Sequence, residues 1–259
     1  DIIVQPWVSF VNFRHFFWSG GTLYVKGIGT LYVKGILFIV KNYSGDIMNF
    51  EMGADMIEHE NQTIIVNDDV AVEDSTFTTG RRGVAGTMIV EKTVGSLAET
   101  GASLEDCKIF GDHVNKMTAS MGVAFTSCTV PAAGKPTFEL SNDEMEFGVG
   151  IHGEPGRRRE KIKSANQLTD EILETILEDL KPDNNQEVLL HVNGFGGTPL
   201  MELYLLFECG QKLLEKKNIK VSRSLVGNYT TSLEMAGGSF TVTKLDADIA
   251  KHWDSAVHT

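Results

Sequence analysis

The apolar run Ile36-Leu37-Phe38-Ile39-Val40 stops abruptly at the polar turn Lys41-Asn42-Tyr43-Ser44-Gly45-Asp46. So short a run, rich in β-branched and aromatic types, fits a strand covered on both faces. Such a strand needs helices above and below it, which commits the chain to a mainly parallel sheet with crossover helices. The next segments supply them. A helix-like stretch extends to about position 60. Thr63-Ile64-Ile65-Val66 is a second buried strand, ending in Asn67-Asp68-Asp69. Residues 83–99 read as helix, with Val84, Met88, Val94 and Leu97 on or near one face. Ser103 caps another helix, in which Leu104, Cys107, Phe110, Val114, Met117 and Met121 recur at three- and four-residue steps. Residues 122–128 read as a third strand.

Pro131-Ala132-Ala133-Gly134-Lys135-Pro136 is the strongest boundary signal in the chain. Beyond it, residues 137–151 read as strands with a charged turn at Asn142-Asp143-Glu144. Residues 169–180 form an amphipathic helix, with Leu168, Ile172, Ile176 and Leu180 in one stripe. Residues 188–192 are a strand. Thr198 and Pro199 then cap and open a helix running to about 217, and strands follow at 219–226 and 239–245. The expected architecture is α/β with two domains. Residues 37–130 form an N-terminal, mainly parallel sheet with flanking helices, and residues 131–259 a smaller C-terminal α+β domain. Residues 1–36 stand apart. There the octamer Gly21-Thr22-Leu23-Tyr24-Val25-Lys26-Gly27-Ile28 is repeated unchanged at 29–36, and each copy can make a short strand, the pair a hairpin. One repeat is not a solenoid. The segment lacks the basic front and cleavage site of a signal peptide, and no apolar run is long enough to span a membrane.

Composition narrows the function classes. The formal net charge is −12, which disfavours nucleic-acid binding through clustered Lys and Arg. The 42% hydrophobic content, evenly spread, excludes global disorder. Three widely spaced cysteines, Cys107, Cys128 and Cys209, do not make a disulfide scaffold; they read as reduced, partly buried thiols of a cytoplasmic protein.

Five stretches are candidates for chemistry. Lys41 and Asp46 flank a strand end, where ligands of open parallel sheets bind, although an ordinary turn with Asp46 favouring a helix N-terminus has the same spacing. Asp68 and Asp69 read as a solvated turn rather than as metal ligands, since adjacent residues rarely share one ion. In Gly80-Arg81-Arg82-Gly83 the arginines can hold an anion or pair with acidic neighbours, and spacing leaves both open. Gly148-Val149-Gly150-Ile151-His152-Gly153-Glu154-Pro155-Gly156 sets one imidazole among glycines and a proline, sterically open as a nucleophile or base requires. His59, His113, His252 and His258 read as surface or satisfied core residues. Asn193-Gly194-Phe195-Gly196-Gly197-Thr198-Pro199 reads as a tight connector, because it lacks the Lys-Ser/Thr end of a P-loop.

Taken together and in order, several of these stretches resemble the dihydroxyacetone kinase K-subunit family. They are residues 41–50, 67–72 and 80–87, Cys128-Thr129-Val130-Pro131, residues 144–156, Gly197-Thr198-Pro199-Leu200 and the ending Trp253-Asp254-Ser255-Ala256-Val257-His258-Thr259. The resemblance covers about residues 36–259. It implies that His152 attacks the ketone carbon of dihydroxyacetone to form a hemiaminal, that Asp46 accepts the hydroxyl proton, and that Lys41 contacts the substrate. It also implies that this chain holds no metal or cofactor. Nucleotide and magnesium then sit on a partner L-type subunit, as in the phosphotransferase-linked bacterial system, and the chain is a cytoplasmic homodimer with neither nucleic acid nor membrane as partner. An alternative within the resemblance is a non-catalytic paralogue that captures dihydroxyacetone as a sensor or co-regulator. The chain departs from the family upstream. There a Ser-Gly-Gly-Gly-Ser-Gly-His-Glu-Pro-like loop is expected, and only Ser19-Gly20-Gly21 echoes it.

Overall fold

A computed structural model describes residues 5–8, 16–19, 22–25, 33–71, 80–131, 134–152, 154 and 156–256, with side chains from residue 35 onward. The elements run β1 (Gln5–Val8), β2 (Phe16–Ser19), β3 (Thr22–Val25), β4 (Val33–Lys41), α1 (Ser44–Asp55), β5 (Asn61–Val66), α2 (Gly86–Glu99), α3 (Leu104–Lys116), β6 (Thr118–Ala124), β7 (Glu144–Phe147) and β8 (Arg158–Lys161). There follow α4 (Ala165–Leu180), β9 (Glu187–Gly194), α5 (Leu200–Lys216), β10 (Lys220–Gly227), β11 (Gly237–Lys244) and α6 (Ala247–Trp253).

The first apolar run is β4, and its period-two alternation serves two cores. Ile36, Phe38 and Val40 pack beneath Ile47, Phe50, Ala54 and Ile57 of the α1 region. Leu37 and Ile39 join Ile64 and Val66 of β5 against Ile89, Val90 and Val94 of α2 and Leu104, Cys107 and Val114 of α3. β4 pairs in parallel with β5, and β1 adds antiparallel on the other side. A second sheet has the order β10-β9-β11-β6-β7-β8. Only its β10–β9 pair is parallel. Leu168, Ile172, Leu173, Ile176 and Leu180 of α4 seal it, packed with Met121, Val123, Leu190, Val192 and Phe240 in one core. α4 starts at a capping box in which Ser164 and Gln167 satisfy each other's backbone donors.

The α/β class with two main sheets is as read from the sequence; a separate β2–β3 pair is added, and the allocation of strands differs. The strand expected at 122–128 begins at Thr118, because the helix before it ends at Lys116 with Met117 as its C-cap. This strand, β6, pairs with β11 and β7 in the second sheet, which is therefore the larger one. The divide between sheets falls before Thr118 and not at the Pro131–Pro136 stretch. β6 is uniformly buried, so helical and strand periods compete over Met117 and Met121, and pairing with β11 decides. Among the described residues, the octamer copies do not pair with each other: β3, in the first copy, pairs with β2, while Val33 to Ile36 of the second copy belong to β4. Thr198 does not cap α5; Pro199 does, and the Thr198 hydroxyl instead bridges the Gly237 carbonyl and amide. Ser19-Gly20-Gly21, beyond its first residue, lies outside the described residues, as do Val72, Gly153, Pro155 and residues 257–259.

The two sheets meet through the chain that leaves β5. Ser120 of β6 donates its amide to the Asp68 carbonyl (2.7 Å), and its carbonyl accepts from the Val70 amide (2.9 Å). The C-terminal ends of β4 and β5 are thus brought against the second sheet, and a cleft opens there.

Candidate active-site cleft

The cleft encloses about 690 Å³. The end of β4 supplies Lys41, the first turn of α1 supplies Asp46, and the glycine-rich loop after β7 supplies His152. All three residues singled out from the sequence therefore line one cavity. Asp46 also sits in the first turn of α1, where an acidic residue favours a helix N-terminus. Among the described residues, none of the three side chains makes a hydrogen bond or ion pair to another side chain or to backbone. Elsewhere in the chain, charges pair freely. Among the described residues, three polar side chains thus line one cleft with hydrogen-bonding capacity unused, which is what a ligand site requires.

The local folding explains why they converge. The loop at Gly80-Arg81-Arg82-Gly83 crosses directly over the ends of β4 and β5. A Cβ on Gly83 would stand 2.7 Å from the Asn42 amide nitrogen and 2.7 Å from the Lys41 Cα, so only glycine fits there. The Asn42 side chain donates to the Arg81 carbonyl (2.7 Å), fastening turn to loop. Arg82 is 1% exposed and holds the layers together. Its Nε donates to Asp69 (2.8 Å), its Nη2 to the Gly148 carbonyl (2.5 Å), and its Nη1 pairs with Glu154 (3.4 Å). The open choice between anion site and ion pair is settled for Arg82: it is a buried ion pair. Arg81 makes a bidentate pair with Asp179 of α4, at 2.5 and 3.0 Å.

Asp68 and Asp69 are not a solvated turn, as their sequence suggested. Each is 1% exposed. Asp68 accepts from the amides of Val84 and Gly86, both at 2.7 Å, and from the Ser120 hydroxyl. It therefore caps the start of α2 from a distance. Asp69 is the partner of Arg82. Burial pushes the Asp69 carboxyl up to about 6, with Arg82 drawing it back. For Arg82 burial opposes the charge, but Asp69 and Glu154 outweigh it and raise the guanidinium above its usual range.

His152 is set by Glu154 and Tyr43. Glu154 accepts from the His152 amide (3.1 Å) and from the Tyr43 hydroxyl (3.2 Å), while the Tyr43 ring meets the imidazole edge-on with centroids 4.0 Å apart. Burial, then the charge of Glu154, pushes the Tyr43 phenol far up, so it stays a donor. Burial lowers the pKa of His152 below the usual 6.5; Lys41 adds to this, and Glu154 and Asp46 work against it. The ring is neutral at neutral pH and carries a lone pair. Neither ring nitrogen is hydrogen-bonded among the described residues. Such a group has the lone pair that a nucleophile or base requires, and it lines the cleft.

The opposite rim, Tyr229-Thr230-Thr231-Ser232-Leu233, was not foreseen. Buried Asn193 holds it, accepting from the Tyr229 and Thr230 amides (3.0 and 2.8 Å) and donating to the Thr230 carbonyl (2.8 Å). The glycine-rich link after β9 is thus a connector, as read, and the first residue of that stretch, Asn193, also anchors the rim. Leu233 has φ +53°, a left-handed conformation unusual for leucine. Glu91 and Thr87 of α2 also line the cleft and were not foreseen. An acidic residue one turn from a buried Thr on an otherwise apolar helix face was the available signal. His113 pairs with Asp246 (2.6 Å) and His252 meets Ser96 (3.0 Å), away from the cleft. The three cysteines are free, two of them buried.

The sequence matches the Dak1 domain over residues 25–259. It is 51% identical over 214 residues to the PTS-dependent dihydroxyacetone kinase 1, dihydroxyacetone-binding subunit DhaK, of Listeria innocua, which covers 82% of this chain and 65% of that protein. It is 42% identical over 251 residues to the PEP-dependent dihydroxyacetone kinase, dihydroxyacetone-binding subunit DhaK, of Escherichia coli, covering 86% of this chain and 70% of that protein. Among solved structures, the dihydroxyacetone kinase operon co-activator Dha-DhaQ superposes with a TM-score of 0.79 at 31% identity, over 85% of this chain and 69% of that one. The chain spans about 65% of the length of its Listeria relative.

Proposed function

The chain belongs to the Dak1 family, and from that premise we propose that it is the dihydroxyacetone-binding component of a dihydroxyacetone kinase, holding its substrate covalently on His152. The observation that supports this reading is the convergence of Lys41, Asp46 and a neutral His152 on one cleft, each without a side-chain partner among the described residues. The imidazole nitrogen adds to the ketone carbon. A C–N bond forms, the C=O π bond breaks, the oxygen takes up a proton, and the ring releases its other N–H proton, so the whole ketone is added and no water leaves. A polyol such as glycerol has no carbonyl and is not captured, which gives selectivity by chemistry rather than by fit. Tethering also fixes a terminal hydroxyl for in-line attack and removes much of the entropic barrier. Asp46 accepts that hydroxyl's proton, and Lys41 offsets the charge that develops on the oxygen. The phosphoryl group comes from a nucleotide held with magnesium on a partner L-type subunit. The protein works in the cytoplasm, as a homodimer.

A second reading is favoured by the co-activator structure. The same capture on His152 can serve a sensor that reports dihydroxyacetone to a regulator and transfers no phosphate. Product formation with a charged partner subunit separates the two.

Capture itself is tested by intact-mass spectrometry under native conditions. The wild-type chain gains the mass of one whole dihydroxyacetone and gains nothing from glycerol; H152Q gains nothing from either. Because the lone pair is needed and the pKa is depressed, the adduct persists as pH falls through 6.5 and is lost only below it. Equal adduct on H152Q contradicts the proposal.

A further inference from the structure

Resting on the His152 reading, we propose that Glu91, on the α2 wall of the cleft, receives the hydroxyl of the bound ketose that His152 and Asp46 leave unused, and so selects polyhydroxy ketones over ketones with one hydroxyl. Dihydroxyacetone carries a hydroxyl on each side of its carbonyl. His152 takes the carbon and Asp46 one hydroxyl; the other must also find a partner once the cleft excludes water, or its desolvation counts against binding.

Glu91 lines the same cleft as Lys41, Asp46 and His152. It is largely enclosed by protein, yet its carboxyl makes no hydrogen bond or ion pair among the described residues. A carboxyl in that position is costly unless something polar comes to it. Burial pushes it up to about 7, with Lys41 of β4 opposing. Both protonation forms are then present near neutral pH, so the group can donate as well as accept, which is what a hydroxyl offers in return. One helical turn earlier on the same wall, the Thr87 hydroxyl is buried and has no hydrogen-bond partner among the described residues. This side of the cleft therefore carries two polar groups whose hydrogen bonds are not made among the described residues. A wall of this kind rejects an analogue that lacks the matching hydroxyl, because the wall's own polar group is left unpaired.

The test compares dihydroxyacetone with hydroxyacetone, which has the same reactive carbonyl but one hydroxyl. Adduct formation by both is titrated by intact-mass spectrometry for the wild-type chain, E91L and E91Q. E91L should lose about tenfold in apparent affinity for dihydroxyacetone and change little for hydroxyacetone. E91Q, which still donates and accepts, should retain most of the preference. Adducts with both ligands and an unchanged ratio in E91L overturn this inference and leave the capture on His152 standing. No adduct with either ligand in the wild-type chain overturns the capture, and this inference with it.

Discussion

Arg82 shows how much of the cleft depends on a residue that never touches it. The guanidinium is fully enclosed and joins Asp69 behind β5, the Gly148 carbonyl and Glu154, which in turn holds the His152 amide and the Tyr43 hydroxyl. Arg82→Met removes the cation and leaves two buried carboxylates without it. The expected cost is about 3–5 kcal/mol in a denaturant titration, since breaking a buried pair from one side strands the other charge. Adduct formation on His152 should weaken as well, because Glu154 loses its anchor. A variant of unchanged stability would show that Arg82 does not organise the loop. At this scale the sequence was informative where punctuation isolates a residue. His152 among glycines, and Lys41 and Asp46 around a strand end, could be singled out. The role of Arg82 could not be read, because spacing does not tell an anion site from an ion pair. Asp68 and Asp69 misled for a related reason: adjacent carboxylates look solvated until the tertiary fold supplies a remote helix start and an arginine.

The decisive element contact is the crossing of the loop before α2 over the end of β4. Gly83 allows it, with the Asn42 amide nitrogen and the Lys41 Cα each 2.7 Å from where a Cβ would lie. Gly83→Ala must push the loop and β4 apart, which moves Lys41 and the start of α1 together. The expected result is a loss of roughly 1–3 kcal/mol in stability. Weaker capture of dihydroxyacetone should accompany it, read from melting and from adduct titration on the same sample. Unaltered capture would mean that the crossing does not set the position of Lys41. Helices and strands were largely legible, because β4 has the apolar content of a strand covered twice and α3 begins at a Ser capping box, whereas α4 begins at Ala165, four residues before the expected start at 169, where the Ser164 capping box was not read. The partners of β6 were not. Strand order is a property of long-range pairing, and nothing local in Thr118–Ala124 distinguishes the first sheet from the second.

At the scale of the molecule, the cleft takes its residues from both sheets. β4, α1 and α2 give Lys41, Asp46 and Glu91, while the loops of the larger sheet give His152 and the Tyr229–Leu233 rim, which the sequence did not reveal because long-range hydrogen bonds to Asn193 and Phe195 hold it there. The Arg81–Asp179 pair spans from one side to the other. Such a junction suits a ligand that bonds to one side and is read by the other. The bond itself can be observed. With histidine ring nitrogens labelled with ¹⁵N and the ketone carbon of dihydroxyacetone labelled with ¹³C, the bound carbon should show a one-bond coupling to a ring nitrogen, absent in H152Q. A bound ligand whose labelled carbon remains a carbonyl, uncoupled to nitrogen, would contradict covalent capture on His152.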